Sequence, residues 1–507
     1  MESGKRGSAV SKEVDRILDE LAQLGVRPAG LAVDSRAVAR GDVFLAYPGA
    51  RSDGRRFVAD AVARGAAAVL WERDGFAWPR ALAAPNVAVA ELKRVSGPLA
   101  TEVYGRPSEA LWVVGVTGTN GKTSCSQWLA QALSATGRKC GVVGTLGTGF
   151  PGALEENANT TPDAVVLQQA LKRFRDAGAA CVALEASSIG LEQGRLDGTR
   201  IACALFTNLS RDHLEYHPDM EAYAQAKTRL FRAPGLAHAV LNLDDALGVR
   251  IAHMLAFGPV LRVGYSLSRG AAAASGLEHW LEARDLTVSG DGMAFRLESS
   301  WGAQAIRSPL IGRFNAANLL GVIGVLLVAG VGLDAIPGVC ARLEPPPGRM
   351  QRLGGGGAPL AVVDYAHSPD ALDKCLAGLR DVARAQGGRL LCVFGCGGDR
   401  DRGKRPLMGE IASRHADFVV VTSDNPRGED PAAIIADILP GVRVPHAVHV
   451  DRRAAIRAAI AAAHRGDVVL IAGKGHEPYQ EVAGRRLPFS DADEARAALA
   501  AAGAVAC

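Results

Sequence analysis

The sequence predicts an α/β protein of three domains, on three observations. At 507 residues the chain is too long for one hydrophobic core, and at roughly 100–200 residues per domain it divides into about three. Short apolar runs, many of them β-branched, alternate with stretches of helical periodicity through most of its length. Two segments interrupt that alternation: Tyr104-Gly105-Arg106-Pro107-Ser108, a polar turn cluster, and Glu344-Pro345-Pro346-Pro347-Gly348-Arg349. Three consecutive prolines cannot continue a helix, so the second makes a stiff, extended hinge. The expected domains are therefore residues 1–107, 108–345 and 346–507.

Taken in order, the first segment is the most mixed and reads only as a small α/β domain. In the second, LWVVGV (111–116), CVALEA (181–186), IACALFTN (201–208) and AVLNLD (239–244) read as buried strands, with helices such as 124–135 and 163–177 between them. The apolar run from Leu319 to Leu333 is shorter than the roughly 18–20 residues that span a bilayer, and Gly321, Gly324, Gly330 and Gly332 interrupt it. It reads as a buried helix, with no membrane span. In the third segment APLAVVDY, RLLCVFG, DFVVVTS and DVVLIAG recur in the same manner. Strands that alternate with helices imply two parallel sheets, whose functional residues gather at the C-terminal strand ends.

Composition narrows the function. Apolar residues at 48% and charged residues at 22% are those of a soluble globular chain. The 57 Lys and Arg against 53 Asp and Glu leave a formal charge of +4, too even a balance for a nucleic-acid coat or a membrane-surface protein. Nine cysteines without a CxxC pair suggest reduced thiols in a cytoplasm, and MESGKRGSAVSKEVDR lacks the apolar stretch of a secretory signal. Glycine, at 59 residues against about 35 in an average chain of this length, clusters at the ends of apolar runs, where backbone often approaches phosphate.

One such cluster carries chemistry. Gly115-Val116-Thr117-Gly118-Thr119-Asn120-Gly121-Lys122-Thr123 follows a strand and opens a helix. There, backbone N–H groups of Thr117, Gly118, Thr119, Asn120 and Gly121 can cradle a triphosphate, Lys122 can neutralise the outer phosphates and the Thr123 hydroxyl can ligate magnesium. The strict GxxxxGK[ST] spacing is not met, because Val116 stands where its first glycine would; the motif is the shorter TGTNGKT. The bland alternative is a structural glycine turn.

With TGTNGKT the chain resembles the Mur ligase family, the ATP-dependent amide ligases of peptidoglycan precursor synthesis, and the resemblance runs through all three segments. It implies a central P-loop NTPase-like parallel sheet, a Rossmann-like C-terminal domain and a small N-terminal domain for the UDP-linked substrate. It further implies Mg²⁺ with ATP as cosubstrate, UDP-MurNAc-L-Ala-D-Glu and meso-diaminopimelate as partners, and a reaction through an acyl phosphate. No nucleophilic Ser or Cys is needed, and the sequence has no GxSxG elbow.

Residue by residue, Glu185 in LEASS is by itself either a hard metal ligand or a rim charge, and His213 in TNLSRDHLEYH either functional or a surface or capping residue. The resemblance implies that Thr123 and Glu185 serve one magnesium and His213 lies near a second. Lys227 in EAYAQAKTRLF reads as a solvated cation; the resemblance implies a lysine carbamylated to N6-carboxylysine. Val33, Ser35, Arg51, Ser52 and Asp53 match the uridine-nucleotide pocket, and Asn159, Thr160, Thr161, Ser187, Gln193 and Arg195 match positions that hold the muramoyl dipeptide. Relatives often carry His where this chain has Ile189.

Asn315 and Asn318, three apart on one helix face, match the ATP-base region, with N-capping by Asn315 as the alternative. Arg349, Asp364 and His367 match further ATP contacts, implying closure of the last domain over ATP about the proline hinge. Arg400, Asp424-Asn425-Pro426-Arg427, Gly473 and Glu477 match the diaminopimelate site. Arg427 offers a planar fork for the carboxylate that lysine lacks, whereas surface salt bridges are the alternative for Arg400 and Glu477. Two other readings remain: a catalytically silent nucleotide-binding scaffold, and a folylpolyglutamate synthetase-like ligase.

Overall fold

The computed structural model describes residues 2–49 and 52–505. They form two compact units, one of Met1–Thr117, Gly137–Leu205 and Glu215–Ala239, the other of Gly118–Thr136, Phe206–Leu214 and Val240–Cys507.

The first unit opens with four short strands, Leu31–Ala32, Val43–Ala46, Ala68–Glu72 and Asn86–Val89, paired parallel in that order. Such a sheet must be covered on both faces. One face packs on the helices Glu2–Gln23 and Leu92–Val103, through Val14, Ile17, Leu21, Leu92, Val95 and Leu99. Val58 and Ala61 of the short helix Val58–Ala63 lie on the other. The same unit carries Trp112–Thr117, Cys181–Glu185 and Cys140–Gly144 as a parallel run with Cys181–Glu185 in the middle. Two antiparallel strands, Gly147–Phe150 and Ala153–Glu155, continue from Cys140–Gly144. The helix Ala164–Asp176 starts where Asp163 accepts the N–H groups of Val165 and Val166.

In the second unit the helix Lys122–Ala135 follows the glycine loop, and Arg313–Val328 is apolar and almost wholly buried from Leu319 on. Its 16 residues span only about 24 Å, and among the described residues no helix is long and apolar enough to cross a membrane. Leu261–Ser266 pairs parallel with His279–Ser289, which leads into an antiparallel meander through Gly292–Ser299 and Gly302–Ser308. The last sheet has the order Gln351–Gly354, Leu360–Asp364, Val468–Ala472, Leu390–Phe394, Phe418–Thr422 and His446–His449. All of its pairs are parallel except the first.

Each strand read from an apolar run is present within two residues. The α/β class with mostly parallel sheets holds; the antiparallel meander, not read from the sequence, turns through Gly290-Asp291 and Ser300-Trp301, two-residue connections that allow only antiparallel return.

Candidate active site

In the second unit the glycine loop is fixed by sterics as well as by conformation. Gly118 and Gly121 have φ of +152° and +89°. A Cβ on Gly118 would lie 1.9 Å from Thr207 Oγ1, and one on Gly121 2.6 Å from Asn318 Oδ1. The segment after the strand Cys203–Phe206 frames the loop. Asn208 O accepts from Thr119 N at 2.8 Å, Asn208 Oδ1 from Asn120 N at 3.0 Å, and the Thr207 hydroxyl donates to Asn120 O at 2.6 Å. Lys122 begins the helix, so the positive end of the helix dipole faces the loop. Its ammonium donates to the carbonyls of Gly118 and Thr119, both at 2.9 Å.

Residues from the third sequence segment reach this loop. Arg349 Nη2 donates to Thr123 Oγ1 at 3.4 Å, and its guanidinium lies 4.6 Å over the Tyr365 ring. Asp370 Oδ2 accepts from Asn120 Nδ2 at 2.9 Å and from Ser210 Oγ at 2.8 Å. Asp364, at the end of its strand, accepts the N–H groups of Met350 and Ala366 at 2.8 and 2.9 Å; burial raises its pKa, and the Arg349 charge opposes that rise. Tyr365 packs against both His367 and His476. Burial, reinforced by the charges of Arg349 and Lys474, pulls the His476 imidazole down to about 4.

Asn318 packs on the loop at Gly121, while Asn315 Nδ2 donates to Ile311 O at 2.8 Å from inside the helix. Gly312 is the N-cap, which overturns the capping alternative for Asn315. His213 is partly exposed at φ +54°, its N–H on Asp212 Oδ1 at 2.9 Å.

The diaminopimelate candidates follow the C-terminal ends of strands of the last sheet. Asp424 follows Phe418–Thr422 and Gly473 follows Val468–Ala472; a Cβ on Gly473 would meet Asp424 Oδ2 at 2.3 Å. Arg427 holds φ +52°, pinned by its N–H on Glu481 O at 3.0 Å and its carbonyl on Ala483 N at 2.7 Å. Its Nη1 donates to Gly398 O at 2.8 Å. Glu477 pairs with buried Lys474 at 3.0 Å, which corrects the surface-salt-bridge alternative. Arg400 is exposed, with Nη1 on Asp399 O.

In the first unit Glu185 is buried at its strand end. Its oxygens accept from Thr145 N at 2.8 Å and Thr145 Oγ1 at 3.1 Å, and a Cβ on Gly144 would come within 2.2 Å. Around it runs one polar network. Thr160 Oγ1 meets Thr145 Oγ1 at 3.0 Å, Thr161 Oγ1 donates to Glu185 O at 2.7 Å and bonds Ser187 Oγ at 2.9 Å, and Arg195 Nη1 donates to Thr161 O at 2.6 Å. Arg195 also grips Gln193 Oε1, and burial lowers its pKa. Asn159 is exposed beside this network, and Ile189 is half-buried in the short helix Ser188–Glu192.

Lys227, read from sequence as solvated, is 1% exposed, its ammonium 4.2 Å over the Tyr223 ring. Buried His217 also packs against that tyrosine and bonds Ser188 Oγ at 3.0 Å. Ser35 is buried in a turn capped by Asp34, and Asp53 caps the turn Gly54–Phe57 and pairs with Arg55 at 2.8 Å. Val33 is half-buried and Ser52 exposed; Arg51 lies outside the described residues.

Sequence reasoning missed Thr207, Asn208, Tyr365, Asp370, Lys474 and His476. Each stands next to a strand end or a motif already singled out, which was the available signal.

Residues 28–103 match the Mur ligase family catalytic domain, 116–326 the Mur ligase middle domain and 348–475 the Mur ligase glutamate ligase domain. The chain belongs to the Mur ligase family, a class of ATP-dependent, ADP-forming amide ligases. It is 52% identical over 485 residues to the UDP-N-acetylmuramoyl-L-alanyl-D-glutamate--2,6-diaminopimelate ligase of Chromobacterium violaceum, covering 95% of this chain and 96% of that one. To the ligase of the same name from a Janthinobacterium species it is 50% identical over 493 residues, 95% and 96% covered. A solved structure of a 2,6-diaminopimelate ligase superposes with a TM-score of 0.67 at 40% identity, covering 94% of this chain and 95% of that one.

Proposed function

We propose that this chain joins meso-2,6-diaminopimelate to UDP-N-acetylmuramoyl-L-alanyl-D-glutamate with conversion of ATP to ADP and phosphate, in the cytoplasm, as a step of peptidoglycan precursor synthesis. Residues 1–107 hold the uridine nucleotide, 108–345 ATP and the acceptor carboxylate, and 346–507 the incoming amino acid. The observation that carries the choice of amino acid is Arg427. A non-glycine residue fixed at φ +52° by backbone bonds on both sides is a strained arrangement found where a side chain must be aimed. Its planar fork suits the second carboxylate of diaminopimelate.

The acceptor carboxylate attacks the γ-phosphorus of ATP, the bond to the β-phosphate oxygen breaks, and ADP leaves an acyl phosphate. Lys122 balances charge on the phosphate oxygens and the positive end of its helix faces them, whereas the N–H groups of Thr119 and Asn120, expected from the sequence to cradle phosphate, are taken by Asn208. The amine of the amino acid then attacks the acyl carbon; the tetrahedral adduct loses a proton and expels phosphate, which leaves the amide. Among the described residues no three His, Cys, Asp or Glu side chains converge as a metal cluster; the Thr123 hydroxyl of the second unit and the Glu185 carboxylate of the first are each of the oxygen-donor kind that magnesium accepts. Magnesium, when bound, would supply neutralisation of the transferring phosphoryl group, with Thr123, Glu185 and His213 each a candidate ligand. As its carbamate, buried Lys227 would offer a further carboxylate of the kind magnesium accepts.

The test is ADP release with the UDP-muramoyl dipeptide, comparing meso-diaminopimelate with L-lysine. Strong preference for diaminopimelate is expected; equal or better turnover with lysine sinks the Arg427 argument. Replacing Lys227 by Ala is expected to depress activity severely, and unchanged activity removes the carbamate from the reading.

A further inference from the structure

Lys474, in the loop after the strand Val468–Ala472, has no part in the chemistry above, yet its side chain is 0% exposed. A buried ammonium is tolerated only with partners. Its Nζ donates to Asn425 Oδ1 at 2.9 Å and to Glu477 Oε2 at 3.0 Å. Asn425 Oδ1 also accepts Glu481 N at 2.9 Å, so two donors converge on that oxygen and set the orientation of the amide. The amide nitrogen then faces Glu477 and donates to the same Oε2 at 2.8 Å. Two donors thus hold one oxygen of a carboxylate whose side chain remains 19% exposed.

We propose that Lys474 is a positioning residue for the incoming amino acid: with Asn425 it fixes one oxygen of Glu477 and so turns the other, Oε1, toward the ammonium of the substrate. The inference rests on the reading that this cluster takes diaminopimelate, and it adds the reason for a buried cation there. An ammonium beside Glu477 weakens the net attraction for a second cation. What it supplies in return is a carboxylate held in one rotamer, and a preorganised partner loses less freedom on binding.

Steady-state kinetics on full-length Lys474→Met and Lys474→Gln test this, with each substrate varied in turn. The KM for diaminopimelate is expected to rise at least tenfold, while kcat and the KM values for ATP and the UDP-linked substrate stay within about threefold. The double variant Lys474→Met, Glu477→Gln is expected to be no worse than Glu477→Gln alone, because the lysine acts through the carboxylate. A lower KM for diaminopimelate, the result if the ammonium merely competes with substrate, overturns the proposal. So do an unchanged KM, a parallel rise in all three KM values, and failure of both single variants to fold. If Glu477→Gln itself leaves the diaminopimelate KM unchanged, the assignment of the cluster fails; if only the lysine variants leave it unchanged, that assignment stands and the positioning role fails.

Discussion

Lys122 and Gly118 separate chemistry from conformation at adjacent places. Lys122→Met removes charge from the proposed phosphate site and leaves the helix start intact, so kcat is expected to fall by about 100-fold or more with little change in Tm. Gly118→Ala instead drives a methyl against Thr207 Oγ1 at a φ of +152°, and a loss of roughly 2–4 kcal/mol in thermal or denaturant unfolding is expected alongside lost nucleotide binding. His476 gives a pH signature. An unfolded chain protonates this ring near 6.5, the folded one only near about 4. Between those values the unfolded state binds the extra proton, so the contribution to stability is complete above pH 6.5 and is lost as pH falls toward 4, by up to about 3 kcal/mol. Unfolding measured from pH 7 to 4 should show a shallower decline in His476→Asn than in the parent chain.

Elements at the strand ends depend on a pair hidden from sequence patterns. Arg452 and Asp491 begin two separate helices and meet with both side chains 0% exposed, through bonds of 2.7 Å from Nε and Nη2. Arg452 also donates to the carbonyls of Ser423 and Ala472, the residues just before Asp424 and Gly473. Arg452→Met leaves a carboxylate buried without its cation, so unfolding should show a loss of about 3–5 kcal/mol. Strand positions were legible because a buried parallel strand must be a continuous apolar run; CVALEA and DVVLIAG could be little else. Arg452, Asp491 and Lys474 were not, since an isolated charge in a helix or loop reads as solvated until tertiary packing encloses it. The hairpin Tyr479–Val482 and Arg485–Pro488 escaped for the opposite reason, being polar and largely exposed.

Across the whole molecule, the α/β class and the glycine loop between strand and helix were legible because both are local patterns. The convergence on that loop was not, because its members are scattered. Asn120 bonds Asp370, 250 positions away, and Arg349 bonds Thr123, 226 positions away. Loop closure over such lengths is governed by topology, which leaves no periodic trace in sequence. The same scatter has a consequence for the protein as it is made. Ribosomes emit the chain from its N-terminus, and the glycine loop leaves the tunnel hundreds of residues before Arg349 and Asp370 exist to brace it. A nascent chain halted before residue 349 therefore carries the complete TGTNGKT motif with only the 207–210 half of its frame. The fully braced loop is a property that arrives late in synthesis, after the last third of the chain has begun to emerge.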